Sequence, residues 1–484
     1  MGPTAPSAKK SRMDKMQDAW SFETLGNAMI QFSVNGTPVL VTDPWLEGTA
    51  YFGSWALERP LDARQIGNAG ASRYVWFSHG HPDHFHPPSF QHLSKSQLML
   101  LPEQYNNELE VALQAEGFRT RVLPDKQWVT LEPGLRVLCV GNENMDAILA
   151  VEAGGVLVLN KNDSPFCGEE PFFRRLVQGY KQSYLLALCA YDADMIHTFD
   201  AQMRPLLGDP EERKPGVVHT AAMTARYLGA KNFACSSSQH IYARPDSAWA
   251  NDYRVTWQDV QRLWTAPEIR AIGPYSQVDL TTGEAHPTPG ETPPIAPRIA
   301  ADNGADNWDE RLTEAEWEQV RRFALQFETL RPYQDFIAFT VGGETRRYAV
   351  RPGLDVARDD LRGVNFILPR HSLMETVEYG YFDDLLIGNF MKTQLFNMEL
   401  YPHFSPLVAK LGGNAKVFTA AHLRTFRWHY LRTSPAAFLR FRWQQMRQFT
   451  LMPMARQIAH RLGVFNLAKR IKNAVFGGPK LAGR

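Results

Sequence analysis

The sequence predicts an α+β protein: a four-layered αββα sandwich, then a small α/β module, then a basic helical segment. Three observations predict it. Short apolar runs with turn signals crowd the first 285 residues in strand-rich halves separated by helical stretches, which fits packed sheets better than an alternating βα fold. Around 286–310 Pro and Gly cluster and apolar residues thin out, as in a linker. After Glu399 there is no Asp or Glu at all.

Taken in order, residues 1–20 are polar and of mixed charge and read as a leader without a secretory signal. A first folded segment is expected at 21–285. It opens with paired strands, Ala28–Val34 and Pro38–Thr42, about the turn Asn35-Gly36. A strand at Tyr74–Phe77 is followed by helix at Pro88–Leu93, strand at Leu98–Leu101 and helix at Asn106–Glu116. Strands at Trp128–Leu131, Leu135–Val140, Ala147–Val151 and Val156–Leu159 come next. Helices at Pro171–Gln178 and Val217–Leu228 precede a strand at Asn232–Ser236. In the module at 311–400 we expect a helix at Leu312–Leu330 and a hairpin at Asp335–Val350. A strand at Val364–Leu368 and a helix at Ser372–Tyr379 complete it. The segment 401–484 reads as helical and cationic.

A 44% apolar and 21% charged composition over 484 residues is that of a globular protein with several cores. Cys139, Cys167, Cys189 and Cys235 are scattered, which predicts reduced thiols in a cytoplasmic setting rather than a disulfide scaffold or zinc finger. No stretch is long and apolar enough to cross a bilayer.

The chemistry centres on Tyr74-Val-Trp-Phe-Ser-His79-Gly-His81-Pro-Asp83-His84. Four ligand-type side chains follow a buried strand. A tight loop there turns His79 and His81 to one metal ion and Asp83 and His84 to a second. Imidazole and carboxylate donors suit zinc or iron.

This run resembles the HxHxDH signature of the metallo-β-lactamase superfamily. The resemblance implies that Asp43, ending an early strand, orients a ligand from behind the metal. It also implies that Asp163, ending Leu157-Val-Leu-Asn160-Lys-Asn162, bridges two divalent ions. The stretch from Asp146 to Asp163, and Leu40-Val-Thr-Asp43-Pro44-Trp45-Leu46, resemble the CMP-N-acetylneuraminic acid hydroxylase subgroup. The family's middle histidine has no counterpart, since no His lies between His92 and His197. Asn142-Glu143-Asn144 stands there, with Glu143 as an oxygen ligand, Asn142 in the histidine's place, or a plain polar turn as the readings. For the last family histidine, His240 is the choice over His219. Arg244, on the same face if the segment is extended, would then address an anionic substrate.

The resemblance leaves three activities open. One is a hydrolase of an anionic phosphoester, or of a lipid- or sugar-linked substrate, with Asp83 or Asp163 holding the nucleophile. Lipid-phosphodiester-cleaving relatives on this fold set the precedent. Another is a diiron oxygenase, which would need a redox partner because the Rieske ligands of the hydroxylase subgroup are missing. The third is a catalytically weakened binding protein.

From Leu400 to Arg484 there are ten Arg and five Lys; subtracting +15 from the whole-chain +1 leaves −14 for the rest. Arg and aromatics interleave at 421–476. This fits an anionic membrane surface met from the cytoplasmic side, docking onto the acidic body, or nucleic acid, for which no readout motif is present. The 311–400 module faintly resembles sterol-carrier-like domains through Phe382-Asp-Asp-Leu-Leu-Ile-Gly-Asn. Covering the substrate or dimerising are its other readings.

Overall fold

A computed structural model describes residues 18–295 and 306–461. Most of the leader, the middle of the linker, and 462–484, including the basic-aromatic run near Phe465, lie outside the described residues.

Two sheets form the centre of the 21–285 segment. One runs, in spatial order, Ala285–Pro287, Ser276–Asp279, Trp20–Gly26, Met29–Val34, Thr37–Thr42, Tyr74–Trp76, Leu98–Pro102 and Arg119–Leu123. The other runs Arg270–Ile272, Asn232–Cys235, Ser183–Ala187, Val156–Asn162, Ala147–Ala153, Leu135–Gly141 and Trp128–Glu132. Their facing sides share one core, with Phe32, Leu40, Trp76, Val137, Leu149 and Val158. The opposite sides pack on helices. Val41, Val75 and Phe77 meet the helix Glu108–Ala115 through Leu113. Leu138, Leu157 and Leu159 meet Glu170–Gln178 and Pro210–Leu228 through Phe173, Val218 and Ala222. Neighbours such as Val75 and Trp76 point to opposite cores, because side chains alternate along a strand. Strands covered on both sides read as unbroken apolar runs. The four layers are therefore α, β, β, α.

A third sheet, Thr198–Phe199, Lys392–Phe396, Gly363–Ile367, Phe336–Val341 and Glu344–Ala349, belongs mainly to the later module. It borrows its first strand from the 21–285 segment, with Thr198 opposite Thr393. Its core also reaches past residue 400: Phe404, Leu407, Val417, Phe426 and Tyr430 join Trp317, Phe339 and Phe366, and Met145 joins from the 21–285 segment. The first helices of the basic segment thus complete the module's core.

Several elements depart from the sequence reading. Trp20, placed in the leader, already pairs with Val34. His286, placed in the linker, pairs with Gln277. The helix expected from Val217 begins at Pro210, with the Asp209 carboxylate capping Glu211 N–H and Pro210 in the first turn, where its missing N–H costs nothing. His219 therefore lies within that helix and bonds Thr265 Oγ1 at 3.1 Å. No helix among the described residues is long and apolar enough to cross a membrane.

Candidate functional site

The strand Thr37–Thr42 pairs in parallel with Tyr74–Trp76, Thr42 opposite Trp76. Both strands end at the same edge, so Asp43 and the His79–His84 loop emerge side by side. Asp43 adopts φ 41°, and its wholly buried carboxylate accepts from Ser78 N–H (2.7 Å) and Ser78 Oγ (2.9 Å). The same carboxylate meets His84 Nδ1 at 3.1 Å, on the side of the ring away from the cluster. Within the loop, His84 N–H and Phe85 N–H both bond the His81 carbonyl, which folds the chain tightly enough to turn successive side chains inward.

The inward atoms converge. His79 Nε2 lies 2.9 Å from His81 Nδ1. His84 Nε2 is 3.3 Å from Asp83 Oδ2 and 3.6 Å from Asp163 Oδ2, and His79 Nε2 is 3.7 Å from Asp163 Oδ2. Asp163 arrives from the second sheet, just past the strand Val156–Asn162, where Asn162 at φ 45° turns the chain. One donor atom each from His79, His84 and Asp163 falls within a 4.8 Å span. His84 Nε2 and Asp163 Oδ1 are buried without a hydrogen-bond partner, a costly state for polar atoms unless a cation takes their lone pairs. These residues fit a metal ion.

Electrostatics favour ligation at the carboxylates and at His240; against burial, Asp383 raises His81 to about 9, and Asp83 and Asp163 raise His84 well above its ordinary value, so a metal ion would displace a proton from each. Burial opposes charge on Asp83, yet His84 and the Tyr51 hydroxyl hold its carboxyl well below the usual range. Burial likewise opposes the charge on Asp163, but His84 and His79 keep it ionised. Burial and nearby Arg254 push His240 down to about 3, so its imidazole is neutral with a lone pair to offer.

Around the centre lies a cavity of about 1770 Å³. His81, Asp83, Asp163 and His240 line it, as do Phe441, Arg442, Arg447, Phe449 and Met452 of the C-terminal helices. His240 stacks on Trp55, with ring centroids 3.4 Å apart, and its Nδ1 meets Asn27 Oδ1 at 3.3 Å. It shares the cavity with the cluster but lies outside the 4.8 Å group.

Three expected residues are used otherwise. Glu143 pairs with Arg442 at 2.9 Å, so the C-terminal helix at Pro435–Met446 claims the carboxylate that the sequence offered to a metal. Asn142 is likewise committed, its amide bonding Ser164 Oγ and the Pro165 carbonyl. Arg244 does not face substrate. It is wholly buried and pairs with Asp246 and Asp306, both at 2.7 Å, with its guanidinium 4.1 Å from the Phe390 ring centroid. The sequence reading put it on one extended face with His240 and Tyr242, but the strand His240–Tyr242 ends before Ala243, and the chain carries Arg244 into the contact with the later module.

Three residues of the site were not foreseen. Asn27, at φ 39°, donates to Asp83 Oδ2 (2.7 Å) while contacting His240, and so couples the two. Tyr51 O–H donates to Asp83 Oδ1 at 2.5 Å. Asp383 meets His81 Nε2 at 2.9 Å. An Asn-Ala turn and a lone Tyr carry no motif. Asp383 lies 302 positions from His81, beyond the reach of local pattern.

With two sheets face to face, helices outside, and a His-rich loop and Asp163 meeting at their common edge, the architecture is decided. The chain has the metallo-β-lactamase fold. No family model matches it. Among solved structures, a metallo hydrolase from Ignicoccus hospitalis is 14% identical, covering 55% of this chain and 97% of that one, with a TM-score of 0.35. An isothiocyanate hydrolase from Delia radicum gut bacteria is 15% identical, covering 56% and 100%, TM-score 0.35. CmlA, a diiron β-hydroxylase from Streptomyces venezuelae, is 11% identical, covering 55% and 54%, TM-score 0.33. Among curated proteins, the cytidine monophosphate-N-acetylneuraminic acid hydroxylase of Danio rerio is 31% identical over 134 residues, or 26% of this chain. The match spans only 22% of that relative's length.

Proposed function

We propose that this chain is a metal-dependent hydrolase of an anionic substrate, a phosphoester or a lipid- or sugar-linked ester. The observation that carries the reading is the convergence of His79, His84 and Asp163, with Asp163, Asp83 and His81 opening onto a large cavity that Arg442 and Arg447 also line. His79, His81 and Asp163 would hold one divalent ion, and Asp83, His84, Asp163 and His240 a second. Such ions supply a nucleophile at neutral pH and neutralise charge on the bond being cleaved.

The protein's own groups do the positioning. Asp83 accepts from both Tyr51 and Asn27, so its carboxylate is fixed and stays ionised, an acceptor for the hydrogens of an attacking water rather than an acid. Burial and the Asp83 charge raise the Tyr51 phenol well above its ordinary value, so it remains the donor in that pair. Arg447, and Arg442 beyond its bond to Glu143, offer cationic contacts to an anionic group at the cavity wall.

A diiron oxygenase is the second reading, favoured by the 31% identity to a hydroxylase over 134 residues. Lacking Rieske ligands in its sequence, it would draw electrons from a partner. Elemental analysis of protein purified without added metal, followed by turnover of phosphomonoesters, phosphodiesters and lipid phosphoesters, tests both. Colourless zinc or manganese protein that hydrolyses one of these supports the hydrolase. Two irons per chain with a visible oxo-to-iron band and reductant-dependent oxygen uptake would overturn it. His81→Ala that keeps full metal content would sink the ligand assignment itself.

A further inference from the structure

We propose that Asp383, supplied by the C-terminal module, is a positioning residue of the metal centre that fixes the tautomer and rotation of His81. The inference rests on the metal reading above and deepens it. Each of the three loop histidines has one ring nitrogen turned toward the cluster and the other held from behind. His79 Nδ1 is held by Ser78 Oγ at 2.9 Å and His84 Nδ1 by Asp43 Oδ2 at 3.1 Å. His81 is the exception in origin: its outer nitrogen, Nε2, is held at 2.9 Å by Asp383 Oδ2, from the other end of the chain.

The chemistry of that contact sets a direction. A carboxylate can only accept, so it keeps a proton on Nε2, and Nδ1, which faces His79 Nε2 and the cluster, is the nitrogen left to bind a metal ion. Without it, the His81 ring borders an open cavity and has no other fixed partner on that side among the described residues. Carboxylates behind metal-bound histidines raise their basicity and lock their orientation, and losing one typically weakens metal binding by about 10–100-fold.

Asp383 is built to stay in place. It is 3% exposed and begins the short helix Asp383–Gly388. That helix is clamped to the 21–285 segment at its far end. The Gly388 carbonyl accepts from Ser54 Oγ, and Asn389 contacts Tyr242 Oη at 3.4 Å. Phe390 packs against Phe52 and beneath Arg244. A side chain held this firmly is suited to orienting a ligand to sub-ångström precision.

The test is cobalt(II) and zinc binding to the full-length chain, by chelator competition and by the cobalt visible spectrum. Asp383→Ala is expected to bind about 10–100-fold more weakly, with altered band positions and unchanged far-UV circular dichroism. Asp383→Asn, whose amide oxygen still accepts the N–H, should recover much of the affinity and the wild-type bands. Ser372→Ala, which weakens the same module's contact with Asp306 without touching His81, should bind metal within about 2-fold of wild type. Asp383→Ala with wild-type affinity and spectrum would overturn the proposal while leaving the metal site standing. So would Ser372→Ala as weak as Asp383→Ala, since docking alone would then account for the loss. Wild-type protein that binds neither metal would take down the metal reading and this inference with it.

Discussion

Replacing Arg244 distinguishes the role expected from its sequence neighbours from the one its surroundings impose. A substrate-facing arginine would be lost at the cost of affinity for substrate and of little stability. Here the guanidinium is wholly buried, donating to Asp246 through two nitrogens and to Asp306 and the Phe52 carbonyl through a third. Arg244→Met keeps an apolar stem over Phe390 but leaves Asp306, only 3% exposed in its side chain, without its cation. Breaking a buried pair from one side costs about 3–5 kcal/mol, mostly because the remaining charge is uncompensated. Asp246, at 23%, regains water and adds little. We therefore expect urea unfolding to show a loss of about 3 kcal/mol or more. Adding Asp306→Asn should return part of it, because the amide oxygen still accepts from Ser372 N–H, 3.0 Å from Asp306 Oδ1, once the charge is gone. Arg244→Lys should fall between, as an ammonium cannot span both carboxylates in fork geometry. An Arg244→Met protein with the wild-type urea midpoint and a raised KM for an anionic substrate would refute this reasoning and return Arg244 to the substrate.

Gly168, at φ +88°, lies so close to the Ala437 carbonyl that any Cβ would collide with backbone. Gly168→Ala should loosen the helix Pro435–Met446 from the cavity wall at a cost of about 1–3 kcal/mol, seen as faster proteolysis within 435–461. His197 is pushed down to about 4 by burial and then by Lys392, so its native form stays neutral while the unfolded chain takes up a proton below about 6.5. Stability should therefore fall as pH drops from about 6.5 to 4, by roughly 3 kcal/mol at 1.36 kcal/mol per unit. His197→Phe should flatten that part of the stability–pH curve. On the C-terminal helices Leu439 is 61% exposed, Trp443 54% and Met454 55%, among arginines and without a single acid. We expect the full chain to float with vesicles containing phosphatidylglycerol but not with pure phosphatidylcholine. Trp428→Ala combined with Trp443→Ala should reduce flotation, and salt should weaken it.

The fold was legible where strands are short, apolar and bounded by turns. Leu135–Gly141, Ala147–Ala153 and Val156–Asn162 lie within a few residues of their expected spans, because Gly134 and the Gly154-Gly155 turn punctuate them. Ser183–Ala187, central to the second sheet, passed unnoticed: a wholly buried five-residue run between parallel neighbours has neither alternation nor a turn of its own. The strand Thr198–Phe199 was invisible for another reason. Two residues pairing with Thr393 and Gln394 are defined by a partner nearly two hundred positions away.

The same distinction explains the site. His79, His81, Asp83 and His84 were readable because their spacing is local, and Asp163 because it ends an apolar strand. The residues that decide how those ligands are held come from elsewhere. Asn27 and Tyr51 brace Asp83, and Asp383 braces His81. Glu143 shows the converse. Its position suggested a ligand replacing the missing histidine, but the acid-free C-terminal segment brings Arg442 to it, and a carboxylate beside an arginine is already neutralised. The sequence displayed that segment's charge plainly; the acid it would meet could not be read from charge alone. An acidic body offers many carboxylates, and only packing, through Tyr430 against Met145 and Ala437 against Gly168, selects Glu143 and its neighbour Glu170, which Gln444 contacts at 3.1 Å. The basic helices thus spend part of their charge inside the molecule, at the cavity wall. What remains outside, on the exposed aromatic face, is the part available to a membrane or other anionic surface.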